Sequence, residues 1–183
     1  MARRDRPERI IKDQRTVLRL AAAMGIDSAA DWEHTVNELA CDFRGVYYGQ
    51  SALPLQSEKI YYLTSPVIDA CRVYNGEQNN AEMPMYNMAL ANGYDPYETF
   101  LSGSLSLITV ENPTADNDRH LILFRDSFGS SIAPLLCEGY AKVTLIDIRY
   151  IQPFVLQYFV DFEGADVLFL YSTLVLNNSD TIK

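Results

Sequence analysis

"LILFRDSFGSSIAPLL", residues 121 to 136, is the stretch on which the fold of this chain turns. Leu121 to Phe124 form a short, wholly apolar run, the pattern of a strand buried on both faces of a parallel sheet. A charged pair, Arg125 and Asp126, then a bare serine, Ser127, follow it directly. Beyond Gly129 the composition turns helical over 130–138, with Pro134 expected in the first turn, where proline costs little. A serine placed where a strand becomes a helix has two readings. Ser127 is a nucleophile, or it caps the turn, as serines commonly do.

The segments downstream repeat the pattern. "KVTLIDI" (142–148) reads as a strand, "QPFVLQYFVDF" (152–162) as a helix with Pro153 in its first turn, and "DVLFLYS" (166–172) as a third strand. Strands alternating with helices at this spacing make βαβαβ. The expectation is a three-layer α/β domain with a mainly parallel sheet, in which 121–124, 142–147 and 166–171 are neighbours. Ligands of such sheets gather beyond the carboxyl ends of the strands. That rim would carry Asp126, Ser127 and Phe128, then Asp147 and Arg149, then Ser172 and Thr173. The helix after Ser127 would aim its free N–H groups at the same place, suited to an anion or a developing oxyanion.

Upstream the pattern is weaker. Val17, Leu20, Ala21 and Met24 recur at helical spacing and Gly25 stops them. Residues 28 to 39 read as a second helix, with Ser28 as cap and Val36 and Leu39 as apolar positions. "DFRGVYYGQSALPL" (42–55) is turn-rich. "KIYYLT" and "DACRVYNG" read as short strands, 76–98 as mostly loop, and "SLSLITV" (104–110) as a strand.

With 183 residues, nearly half of them apolar, the chain suits one packed domain over 1–183. Its net charge of −9 argues against nucleic acid or an anionic membrane as partner. No apolar run reaches the roughly 18 residues of a spanning helix. The start, "MARRDRPERIIKDQR", has no apolar core behind its basic residues and so does not read as a signal peptide. Cys41, Cys71 and Cys137 are too few and too dispersed for a disulfide framework or a zinc site.

Each candidate has a plain structural reading beside the functional one. A serine needs an adjacent base, and the chain has two histidines. His120 begins the 121–124 strand, about 20 Å of extended chain from Ser127. His34 reads as a solvated surface residue. Asp126 reads as a cap for the following N–H groups, and Asp147 with Arg149 as a structural salt bridge. For Asp126, Asp147 and Arg149, contact with substrate is the other reading. Asp126 and Asp147 could converge on Mg²⁺, but the chain has no phosphate loop, since "DSFGSS" lacks GxxxxGK. No cofactor or metal is expected.

"LILFRDSFGSSIAPLLCEGYAKVTLIDIRYIQ", followed by "ADVLFLYS", resembles the DHHW protein family of the SGNH hydrolase-like superfamily, akin to the alginate acetylation proteins. The resemblance rests on Asp126-Ser127-Phe128 joined to Asp147-Ile148-Arg149-Tyr150 about twenty residues on. "DFRGVYYGQS" and "YETFLSGSLSLITVEN" add to it, over roughly residues 40 to 175. It implies an SGNH-like, flavodoxin-like domain in which Ser127 is the nucleophile of a carbohydrate esterase or O-acetyltransferase. The partner would be a carbohydrate or acyl ester, and the location extracytoplasmic or at the cell surface. The family's Asp-His-His-Trp motif, thought to complete the triad, should precede the helix at 12–24 and has no match there. The expectation is a domain lacking its N-terminal part and inactive by itself, with homo-oligomers formed through the apolar face so exposed. The alternative is a non-catalytic glycan- or protein-binding domain. Gly and Asn help build the oxyanion hole of SGNH enzymes. Gly103 and Asn112 lie near the 104–110 strand, but the resemblance does not match them to those roles.

Overall fold

The computed structural model describes residues 8–26, 32–44 and 57–178. Helix α1 (Glu8–Ala23) buries Val17 and Ala21 as the spacing predicts. It ends at Gly25, whose φ of +73° is the left-handed conformation that glycine adopts without strain. The Ile26 N–H then reaches back to the Ala21 carbonyl at 2.8 Å, closing a Schellman-type end. The helix expected over 28–39 is corrected. Residues 28–31 lie outside the described residues, and Thr35–Phe43 is a strand, β1. It pairs antiparallel with β2 (Glu58–Thr64) in a two-stranded sheet of its own, with Val36 opposite Leu63 and Leu39 opposite Ile60. Most of "DFRGVYYGQSALPL" lies outside the described residues.

A short helix, α2 (Pro66–Ala70), capped by the Ser65 side chain, leads into β3 (Arg72–Asn75) and β4 (Ala81–Met83). Strands β5 (Leu107–Glu111), β6 (His120–Arg125), β7 (Lys142–Ile146) and β8 (Asp166–Leu170) complete a six-stranded sheet in the order β4-β3-β5-β7-β6-β8. β7, β6 and β8 are adjacent and parallel, as expected. The sheet as a whole is mixed, not mainly parallel, because β4, β3, β5 and β7 pair antiparallel. The reason lies in the connections. A short link, residues 76–80, joins β3 and β4 as a hairpin, and β5 enters after the long 84–106 segment running opposite to both its neighbours, whereas the parallel pairs use the crossovers that follow β6 and β7.

Cross-strand rows explain the core. Val73, Val110, Val143 and Leu121 stand in register on one face, and Ile108, Leu145, Leu123 and Leu168 form the next row. This face packs against α1 and α3 (Gly129–Leu136). On the other face Leu107, Ile146 and Phe124 pack under Ile148, Leu156 and Val160, and Phe169 of β8 continues their row at the exposed sheet edge.

Two further expectations are corrected. Pro134 sits inside α3 rather than in its first turn. Only eight residues long, α3 is a helix where a missing interior N–H forfeits one bond of a short ladder. The 152–162 segment is a 3₁₀ turn over Pro153–Tyr158, not an α-helix. Its buried Leu156 and Val160 tie it to the sheet, while Phe154, Tyr158 and Phe159 point to solvent. Among the described residues no helix is long and apolar enough to cross a membrane.

Candidate active site

The carboxyl ends of β6, β7 and β8 bring Arg125 to Phe128, Asp147 to Tyr150, and Tyr171 with Ser172 to one rim. Asp126 is almost wholly buried there and acts as the tie between strands. One carboxylate oxygen accepts the Phe128 N–H at 3.0 Å and the other the Ser172 N–H at 2.7 Å. A carboxylate with both oxygens on backbone N–H groups makes charge-assisted bonds, roughly twice as strong as neutral ones. Its capping role matches the structural reading of the sequence.

Ser127 is half-buried on the turn that starts α3. Phe128, not Ser127, occupies the cap position, and Asp126 does the capping. Among the described residues the Ser127 hydroxyl makes no hydrogen bond. The supply of free N–H groups is narrower than the helix end suggested. Gly129 donates to the Asp126 carbonyl at 3.0 Å and Ser130 to the Ser127 carbonyl at 3.1 Å. Among the described residues the Ser127 N–H has no acceptor.

Asp147 and Arg149 meet each other. Both carboxylate oxygens accept from the guanidinium, at 2.9 Å from Nε and 2.6 Å from Nη2. This two-pronged bond raises the Arg149 pKa, with burial opposing it. The Arg149 guanidinium also lies 5.3 Å from the ring centre of exposed Tyr150.

Three residues at the rim escaped the sequence reading. Arg125 is fully buried, its guanidinium pKa lowered chiefly by burial and held up in part by Asp147. Tyr171 is pushed up to about 12, chiefly by burial and then by Asp147 and Asp126, so it stays a phenol. Tyr97, on the 3₁₀ turn Pro96–Thr99, donates to Ser131 Oγ at 2.9 Å and approaches the Phe128 carbonyl at 3.4 Å. The only signal for Arg125 was a charge closing an otherwise apolar strand. Nothing local marks Tyr97 or Tyr171.

Neither histidine joins Ser127. His120 bonds Thr144 Oγ1 at 2.8 Å from the opposite end of β6. His34 is not solvated, which corrects the expectation. Its side chain is 6% exposed and its Nε2 lies 2.7 Å from Glu138, just past the far end of α3. Eight helical residues span about 12 Å. Glu138 also accepts the Ser65 hydroxyl, whose oxygen in turn accepts the Ile68 N–H at 3.1 Å. This Ser–Glu–His set has the carboxylate in the middle, so the imidazole does not reach the hydroxyl, and its work is to join β1, α2 and α3. Gly103 lies on the rim side of β5, with φ +90°, whereas Asn112 is at the other end and donates to the Cys137 carbonyl. Among the described residues no three His, Cys, Asp or Glu side chains converge as a metal site requires. A pocket beside α3, between Tyr62, Tyr86, Phe100 and Ser131, has about 30 Å³, room for a water and not for a sugar.

The fold is shared with solved structures. A DHHW family protein from Eubacterium siraeum DSM 15702 superposes with a TM-score of 0.67 at 16% identity, over 94% of this chain and 59% of that one. The fold is that of a DHHW family protein. Bacillus cereus PatB1 is similar too. Its structure with a sulfonyl adduct matches at TM-score 0.65 and 22% identity over 90% of this chain and 58% of its own, and a second PatB1 structure at 0.61. The chain thus spans less than two thirds of each of these relatives. No family model and no curated protein matches the sequence.

Proposed function

We propose that this chain is the serine-bearing part of an SGNH-like carbohydrate esterase or O-acetyltransferase, with Ser127 as nucleophile and an acyl ester of a sugar as substrate. One observation carries the reading. Ser127 stands half-buried at the carboxyl rim of a parallel strand trio, its hydroxyl and its own N–H without a partner among the described residues. Attack by Ser127 Oγ on an acyl carbon would place the developing oxyanion near that N–H. PatB1 with its sulfonyl adduct supports the reading, since a sulfonyl group is what an activated sulfonyl reagent leaves on a nucleophile. Asp147 and Arg149, already paired, would serve substrate through the guanidinium edge and the Tyr150 ring beside it. An enzyme acting on surface glycans belongs outside the cytoplasm, and we place this one there.

The missing part is the base. Both imidazoles are committed elsewhere, to Thr144 and to Glu138. Turnover of an activated acetyl ester is therefore expected near background, while a sulfonyl fluoride should modify Ser127 slowly and stoichiometrically. Intact mass and peptide mapping check this, and Ser127→Ala should abolish the adduct. The committed imidazoles favour the second reading, a non-catalytic glycan- or protein-binding domain. Absence of any Ser127 adduct together with retained glycan binding would decide for it.

A further inference from the structure

Among the described residues Arg125 is the one fully buried cation at the rim, and none of its hydrogen bonds there goes to a carboxylate. Nη2 donates to the Leu105 carbonyl at 3.2 Å. Nη1 donates to Ser130 Oγ at 3.1 Å and to the Asp126 carbonyl at 3.4 Å. Among the described residues its Nε has no acceptor. Its stem lies directly under Gly129, where an added Cβ would stand 2.6 Å from Arg125 Cβ. A buried charge held this way costs stability that an apolar side chain of similar volume would not. Its geometry instead links two segments distant in sequence: the Ser127 turn and the chain entering β5.

That entering chain is unusual. Leu101, Ser102 and Gly103 have φ of +54°, +58° and +90° in succession. Two consecutive left-handed non-glycine residues persist only where their surroundings over-determine them. One end of the loop is held by Met85, whose carbonyl accepts the Leu101 N–H, and by Asn87, which donates to Ser102 Oγ. The other end is stitched to the rim. Ser106 accepts the Asp147 N–H at 2.9 Å and donates its own N–H to Glu77, and Leu105 is held by Arg125.

We infer that Arg125 is a positioning residue that locks the 101–106 loop to the Ser127 turn, so that the two form one rigid wall of the site. The forked guanidinium is what this needs, since a lysine ammonium is a single point that cannot hold the same spread of acceptors in fixed directions. The inference rests on the Ser127 reading only in its reactivity arm.

The test compares Arg125→Met and Arg125→Lys with the parent protein. Amide exchange should quicken about tenfold or more in 101–106 and 127–131 together in the Met variant, with the rest of the sheet unchanged and the melting temperature held or raised. The saturating rate of Ser127 sulfonylation should fall about 10- to 100-fold, with the half-saturating probe concentration unchanged. Lys should recover part of both effects. Unchanged exchange in either segment would overturn the inference, as would a change spread over the whole sheet with a lower melting temperature. Should the Met variant not fold, the Lys variant is read by the same criteria. If the parent protein takes no label at Ser127, the nucleophile reading fails while the exchange measurement still decides Arg125.

Discussion

A methyl group at position 129 would stand 2.6 Å from the Cβ of Arg125 and 3.1 Å from its Cγ, contacts that require the backbone to move. Helix propensity points the other way, since alanine is better than glycine in a helix by up to about 1 kcal/mol. The clash should win, because overpacking a fixed core costs about 1–3 kcal/mol. Gly129→Ala is therefore expected to lower the melting temperature, and a thermal melt showing stabilisation would mean that Arg125 is free to withdraw. At this same scale Asp126 was legible. A carboxylate before a helix start is a capping residue by its chemistry, and the structure gives it Phe128 and Ser172. His34 was not legible, because its partner Glu138 is 104 residues away.

Among the elements, β6 and β7 carry a pH-sensitive contact. His120 and Thr144 are diagonal neighbours on one face, joined at 2.8 Å. Burial lowers the His120 pKa below 6.5, the Lys142 charge adds to this, and Asp161 opposes it. The folded imidazole is thus neutral where the unfolded one takes up a proton. The stability it contributes is fully present above about pH 6.5 and is lost as pH falls through the lowered folded value. His120→Gln should flatten the decline in melting temperature between about pH 7 and pH 5. An identical slope in the variant would assign the acid sensitivity elsewhere. Element types were misread in two places for one reason. "TVNELACDF" and "PFVLQYF" are short apolar patterns, which periodicity cannot assign. Pairing with β2 made the first a strand, and packing of Leu156 and Val160 on the sheet tightened the second into a 3₁₀ turn.

Across the whole molecule, one sheet face is covered unevenly. The row Leu107, Ile146, Phe124, Phe169 is buried for its first three members, and Phe169 is 64% exposed at the edge strand β8. Its ring stacks on Phe124 at 4.7 Å, and Phe162 flanks Phe124 on another side at 6.5 Å. With exposed Val167 next along the strand, these residues form an apolar edge of the kind that draws a second surface onto it. The net charge of −9 opposes self-association. We expect apolar contact to prevail at high protein concentration and high salt, giving a reversible oligomer in sedimentation velocity that Phe169→Ser weakens. A monomer at every concentration and salt would count against it.

Local pattern alone determined the strands "LILF", "KVTLI" and "DVLFL", their parallel adjacency, the α1 stop at Gly25 and the position of Ser127 on a strand-to-helix turn. These follow from runs of neighbouring residues whose burial and turn chemistry are settled over a few positions. Only the tertiary structure decided the rest: the antiparallel half of the sheet, the buried Arg125 bridge to Leu105 and the His34–Glu138 pair. Most of these turn on how side chains far apart in the chain meet, and such meetings are fixed by which strands pair and in what register. A sequence read segment by segment does not contain that information until the sheet is assembled.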